Sequence, residues 1–144
     1  MSIRHAEVAG AGLAGLTVAS VLAQRGWSVR VHERGDDLRE IGAGIYLWEN
    51  ALKVLEAIGA YDVVTSSAER IYRPELRDHR HRVLQTEWLR DGRLSAVARR
   101  HLHRSLADTA INSGVEIVTA SKVVRASSEG WLETEGSVRW DADL

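Results

Sequence analysis

The 144-residue sequence contains no cysteine, which excludes disulfides, thiolate metal sites and cysteine nucleophiles. It has a single proline and no low-complexity stretch, so nothing in it reads as a linker between domains. An excess of one charge is also missing: 19 Lys and Arg stand against 20 Asp and Glu, for a formal net charge of −1. That balance offers no electrostatic footprint for nucleic acid or for an anionic membrane. Nor is there an apolar run of the ~18 residues that a membrane-spanning helix requires. The most apolar segment, Val8 to Ala23, lacks the basic flank and cleavage site of a signal peptide and carries regularly spaced glycines instead. The expectation is a soluble, cytoplasmic protein of one domain, since domains run to ~100–200 residues.

What is present is a succession of strand and helix patterns. Ile3 to Ala9 reads as a strand ending at Gly10. Leu13 to Arg25 carries Leu13, Leu16, Ala19 and Leu22 at helical spacing and stops at Gly26. Ser28 to His32 is a second strand, with Val29 and Val31 pointing one way. Together these elements have the length of one βαβ unit, ~30 residues. A glycine-rich turn, Ile41 to Ile45, precedes a helix over Asn50 to Ile58 that ends at Gly59. Val63 to Leu94 is weakly patterned, with a strand-like stretch at Val83 to Leu89. A helix is expected over Ala98 to Asn112, a strand over Val115 to Thr119, and a β-meander from Lys122 to Leu144 around turns at Ser128–Gly130 and Glu135–Ser137.

The expected fold class is therefore α/β: a Rossmann-like domain with a parallel sheet, helices and a β-meander. Trp140 to Leu144 reads as a strand that is only beginning, so residues 1–144 are expected to be the N-terminal part of a domain incomplete at its C-terminus.

Gly10-Ala11-Gly12-Leu13-Ala14-Gly15 is a G-x-G-x-x-G placed between a predicted strand and a predicted helix. In that context Gly10 permits the tight turn and Gly12 lets the backbone approach a pyrophosphate. Gly15 lets helix and strand pack closely, and the N–H groups at the start of the helix meet the phosphate charge. Glu33 ends the second strand about twenty residues on, where a carboxylate accepts hydrogen bonds from a ribose diol and repels a 2′-phosphate. Arg34 beside it weakens that exclusion, because an arginine accommodates such a phosphate. The fingerprint by itself does not separate NAD from FAD.

The segments that follow do carry a distinction. Glu33-Arg34, Leu38-Arg39-Glu40-Ile41-Gly42-Ala43-Gly44-Ile45, Asn50-Ala51, Leu55 and Gly59, with Ala98-Arg99-Arg100-His101-Leu102-His103, resemble the class A flavoprotein aromatic hydroxylases. These are single-component FAD monooxygenases related to salicylate and p-hydroxybenzoate hydroxylases. Ala6 to Gly10 and Gly42 to Trp48 are most similar to the members that oxygenate hydroxypyridine carboxylates. The resemblance covers essentially the whole chain.

It implies FAD as cofactor, NADH or NADPH as electron donor, and hydroxylation of an aromatic or pyridine carboxylate by O₂ through a flavin C4a-hydroperoxide. The protein supplies position and electrostatics to a reaction that belongs to the cofactor. Residue by residue, it implies that Gly10, Gly12, Leu13, Ala14 and Gly15 hold the pyrophosphate and Glu33 the adenosine ribose, with Arg34 beside the adenosine. Arg39 and Arg99 match family arginines that reach along the cofactor, Tyr46 matches a position lining it, and Val123 falls where a backbone group meets the adenine. No catalytic residue is implied within residues 1–144. The family's Asp-Gly after the strand begun at Ala142–Leu144, its later Gly-Asp and its substrate-covering sheet would all lie beyond residue 144. The remainder of the chain is thus needed for a complete fold.

Several positions keep a second reading. Arg39 also fits a surface arginine, Arg100 competes with Arg99 by a one-residue slip, and Tyr46 and Trp48 also suit core packing. His79 with His81, and His101 with His103, lack the spacing and third ligand of a metal site and read as solvated polar groups. Two other functions share the βαβ unit: a different FAD or NAD(P) oxidoreductase, and a non-enzymatic nucleotide-binding module. A plain nicotinamide domain needs neither the Gly42–Ile45 turn nor the Arg99 helix.

Overall fold

The computed structural model describes residues 3–38, 42–89 and 94–144. The chain opens with β1 (His5–Ala9), α1 (Leu13–Gln24) and β2 (Ser28–His32). The strands pair in parallel with Val8 opposite Val31, so α1 is the crossover of a βαβ unit. Leu16 and Ala19 of α1 and Val31 of β2 are fully buried in the layer between helix and sheet. The hydroxyls that α1 carries cost little there, because Thr17 and Ser20 donate to the carbonyls of Leu13 and Leu16, one turn back.

Next come β3 (Gly44–Leu47), α2 (Glu49–Ala57), α3 (Tyr61–Thr65), β4 (Glu69–Arg70), β5 (Glu75–Arg77), β6 (Val83–Thr86) and β7 (Ser95–Ala98). The antiparallel order β3-β7-β4 makes a second small sheet, in which Gly44 lies opposite Ala98. β5 and β6 form a separate hairpin whose turn is held by Asp78, which accepts from the N–H groups of Arg80 and Arg82. The Arg82 N–H is the main reason that this carboxyl sits below the usual range.

The rest comprises α4 (Arg99–Asn112), β8 (Glu116–Val118), β9 (Val123–Ser127), β10 (Trp131–Thr134) and β11 (Val138–Asp141). β8 completes a parallel sheet of order β1-β2-β8, and β9, β10 and β11 form the expected meander. α4 packs beside α1 on one face of the parallel sheet. The meander reaches the other face, where the Trp140 ring lies 5.4 Å from that of His32. Along the second edge of β1, the Asp143 N–H donates to His5 O and the Glu7 N–H to Leu144 O, at 2.8 and 3.0 Å. Residues 143 and 144 thus bond to the edge of β1 that β2 leaves open.

The α/β class and the βαβ unit are as the sequence indicates, with the element ends shifted by a residue or two. The glycine turn differs, because its last residues run on into β3. Ala98 likewise closes β7 rather than opening α4. Both follow from the β3–β7 pairing, which joins segments some fifty residues apart and leaves no periodic trace in either.

Candidate functional site

The glycine loop between β1 and α1 is anchored from below, as the Gly10 N–H donates to His32 O at 2.7 Å. Gly10 has φ +94°, in the left-handed region that favours glycine. Gly15 is required for a different reason: a Cβ there would stand 2.0 Å from the carbonyl oxygen of Gly10. The helix can approach its strand this closely only with hydrogen at that position. Gly12, at the N-cap, has neither constraint, and a Cβ on it would meet nothing within 4 Å. The loop is therefore open on that side.

No side chain caps α1. Its first intrahelical bond runs from the Leu16 N–H to Gly12 O, so the helix offers no acceptor to the N–H groups of Leu13, Ala14 and Gly15. Three donors and the positive end of the helix dipole therefore converge beside Gly12, an arrangement suited to a phosphate.

Glu33 is fixed on the edge of this loop. Its Oε2 accepts from the Ala11 N–H at 3.0 Å and its Oε1 from the Gly35 N–H at 2.8 Å. Each carboxylate oxygen keeps a further lone pair for another donor. The carboxylate looks into a cavity of about 260 Å³ lined by Gly10, Glu33, Arg34, Ser121, Lys122 and Val123. Loop, acid, Arg34 and the start of β9 are thus brought to one place. The residues present fit the adenosine and pyrophosphate of a dinucleotide: open backbone at Gly12, helix-start donors with no intrahelical acceptor, and a carboxylate bonded to the same loop.

Arg99 begins α4 beside the Gly42–Ile45 turn. Its N–H donates to Ala43 O at 3.1 Å, and a Cβ on Gly42 would stand 3.1 Å from its Cδ. Arg100 instead lies with Leu38, His103, Arg104 and Asp108 around another cavity along α4. The geometry therefore separates the two neighbours, and Arg99 is the one at the turn. Tyr46 and Trp48 are 64% and 51% exposed, so neither packs in the core. Tyr46 borders an apolar groove of about 630 Å³ together with Leu13, Ala14, Leu55 and Leu102. Arg39 lies outside the described residues.

Two features escape the sequence reading. His103 is not a solvated side chain: it is 5% exposed, and its Nε2 lies 2.7 Å from Ala11 O, inside the glycine loop. The signal was present, since Ala107 and Ala110 extend the buried stripe of α4 to the turn that carries His103. His101 reaches Val63 O at 2.9 Å, whereas His79 and His81 are exposed as expected. The second feature is a charged cluster around the buried Glu7 side chain, which meets His5, Arg30 and His32. Among the described residues there is no cluster fit to hold a metal ion and no helix long and apolar enough to cross a membrane.

Comparison with known proteins places this geometry. A family model described as "FAD binding domain" matches residues 5–135. A putative 2-heptyl-3-hydroxy-4(1H)-quinolone synthase of Rhodococcus erythropolis is 43% identical over 97% of this chain and 37% of its own length. The 3-hydroxybenzoate 6-hydroxylase of Polaromonas naphthalenivorans is 34% identical over 91% of this chain and 34% of its own. The solved structure of the tetrameric form of 2-methyl-3-hydroxypyridine-5-carboxylic acid oxygenase superposes with a TM-score of 0.94 at 40% identity. It covers 100% of this chain and 38% of that one. The chain thus spans somewhat over a third of the length of these relatives.

Proposed function

The chain belongs to the FAD binding domain family, and from that premise we propose that it holds the adenosine diphosphate half of FAD within a longer flavin-dependent monooxygenase. The N–H groups from Gly12 to Gly15 would take the pyrophosphate, and Glu33 the ribose hydroxyls. Val123 would meet the adenine through its backbone and Arg34 would cover its edge. Arg39 and Arg99 would steady the rest of the cofactor, with Tyr46 along its path. The observation that carries this reading is the seating of Glu33 against the Ala11 N–H, which sets a carboxylate and a phosphate-binding helix start side by side.

Bound FAD would supply the redox chemistry, taking two electrons from NADH or NADPH and using them to activate O₂. This chain's own part is to bind and orient. Residues 1–144 form the N-terminal portion of the FAD-binding domain in this proposal, and the later flavin contacts and the substrate-binding domain belong to the longer protein. The short span relative to the relatives supports that division. The substrate class, an aromatic or hydroxypyridine carboxylate, rests on the 40% identity to the hydroxypyridine carboxylate oxygenase. A ring hydroxyl makes such substrates electron-rich, and the carboxylate gives the enzyme a handle. A cytoplasmic location belongs to the same proposal, because the reaction draws on NADH or NADPH.

The test is spectroscopic. The protein carrying this chain should purify yellow, with the absorption bands of oxidised flavin, and should consume NADH faster when a suitable aromatic acid is added. Residues 1–144 alone should show no substrate-dependent NADH oxidation. A colourless holoprotein that binds NAD would refute the proposal.

A further inference from the structure

Strand alternation places Val29 and Val31 of β2 on the helix side of the sheet, leaving Arg30 and His32 for the other face. Glu7 of β1 shares that face, and the meander covers it. The Glu7 side chain is 2% exposed, and its carboxylate accepts three bonds. His5 Nε2 and Arg30 Nη1 reach Oε1 at 2.7 and 2.8 Å, and His32 Nε2 reaches Oε2 at 2.7 Å. The Arg30 guanidinium lies 4.4 Å from the Trp140 ring centroid.

The bonds around His32 set its tautomer. A carboxylate only accepts, so the Nε2 of His32 carries the proton. The other nitrogen, Nδ1, lies 2.7 Å from Ser121 Oγ. On a neutral ring Nδ1 has only a lone pair to offer, so the Ser121 hydroxyl gives it its single proton. Ser121 is also held by its backbone, whose N–H donates to Glu33 O at 2.8 Å.

Ser121 and His32 both line the cavity beside Glu33 and Val123, and the His32 side chain is fully buried, which leaves the Ser121 hydroxyl as the polar end of this relay that a ligand can meet. With its proton committed inward, its oxygen faces the cavity with lone pairs alone. An adenosine brings two kinds of donor, its ribose hydroxyls and its 6-amino group. Glu33 takes the hydroxyls, which leaves the amino group. A purine with a 6-oxo group would instead set an acceptor against those lone pairs.

We propose that the Glu7–His32–Ser121 relay is a specificity device, holding the Ser121 hydroxyl oxygen as an acceptor for the 6-amino group of a bound adenine. The inference rests on the reading of this cavity as the adenosine site.

The experiment compares the binding of ADP and inosine diphosphate to the flavin-free form of the full-length protein, in the wild type and in the Ser121→Ala and Ser121→Thr variants. Thermal melting is followed alongside. The wild type should prefer ADP. Ser121→Ala should weaken ADP about five- to tenfold, the range of one hydrogen bond, and leave inosine diphosphate unchanged or tighter, so that the preference collapses. Ser121→Thr, which keeps the hydroxyl, should retain the preference. A Ser121→Ala protein that melts earlier but discriminates as the wild type does would overturn the relay and leave the adenosine site standing. A wild type that binds neither diphosphate would overturn both.

Discussion

Replacing Gly15 with alanine is expected to weaken FAD binding by about 100-fold, the equivalent of ~3 kcal/mol at the upper end of what overpacking costs. The added Cβ would lie 2.0 Å from the carbonyl oxygen of Gly10 and 3.2 Å from its carbon. Both atoms are backbone, so no side chain can swing aside to make room. Either α1 slides away from β1, or the glycine loop opens. Each response spoils the alignment of the Leu13–Gly15 N–H groups with the phosphate position. The protein should also melt earlier, because Leu16, buried on the next residue of α1, moves with the helix.

Gly12→Ala is the informative contrast. Its Cβ meets nothing within 4 Å and its φ of −77° suits alanine, so melting should stay at the wild-type value. FAD affinity should nevertheless fall, since the methyl group occupies the space in which the pyrophosphate approaches. Flavin fluorescence titration and thermal melting of the two variants separate a packing glycine from a ligand-facing one.

The second large effect is expected at Glu7. Glu7→Ala should cost ~3–5 kcal/mol of folding free energy, the penalty for removing one partner from a buried charged group. The carboxylate accepts from His5, Arg30 and His32, and alanine leaves all three donors facing a cavity. Arg30 recovers part of the loss, because its side chain is 22% exposed and also bonds Glu116 at 2.9 Å. His32, with a fully buried side chain, has no such outlet. Glu7→Gln keeps the shape and one acceptor, and should cost about half as much, ~1–3 kcal/mol. Urea unfolding reads both. Raising the salt concentration should change the difference little, because the pair is shielded from the ions that screen surface charges.

The sequence made the βαβ unit readable because its signals are local. Leu13, Leu16 and Ala19 repeat within one helix, Gly10 and Gly26 mark its ends, and Glu33 follows at a fixed offset. The meander was readable for the same reason, through alternation between two glycine turns. The β3–β7 sheet was not, since the pairing of Gly44 with Ala98 depends on tertiary contact. Polar residues misled in a consistent way. Alternation along β1 and β2 sends Glu7, Arg30 and His32 away from α1, which alone would suggest solvent. Glu7 and His32 are nonetheless buried and Arg30 half-buried, with Trp140 of β11 lying against His32 and Arg30, a fact held by no residue of β1 or β2. His103 was misjudged likewise: its polarity outweighed its place on the apolar stripe of α4. The preference for FAD over NAD came from the likeness of the Gly42–Ile45 and Arg99 segments to known hydroxylases, and the structure sets those two segments side by side.

The most direct test of the adenosine assignment is the affinity of the full-length protein for FAD set against its affinity for FMN, which carries the same isoalloxazine ring without the adenosine half. The account predicts tight FAD binding that ADP displaces, and FMN binding weaker by about 100-fold or more, since FMN would leave Glu33 without a ribose to hold and the helix start with only one of its two phosphates. Equal affinity for FMN and FAD, or FAD binding that ADP leaves undisturbed, would contradict it.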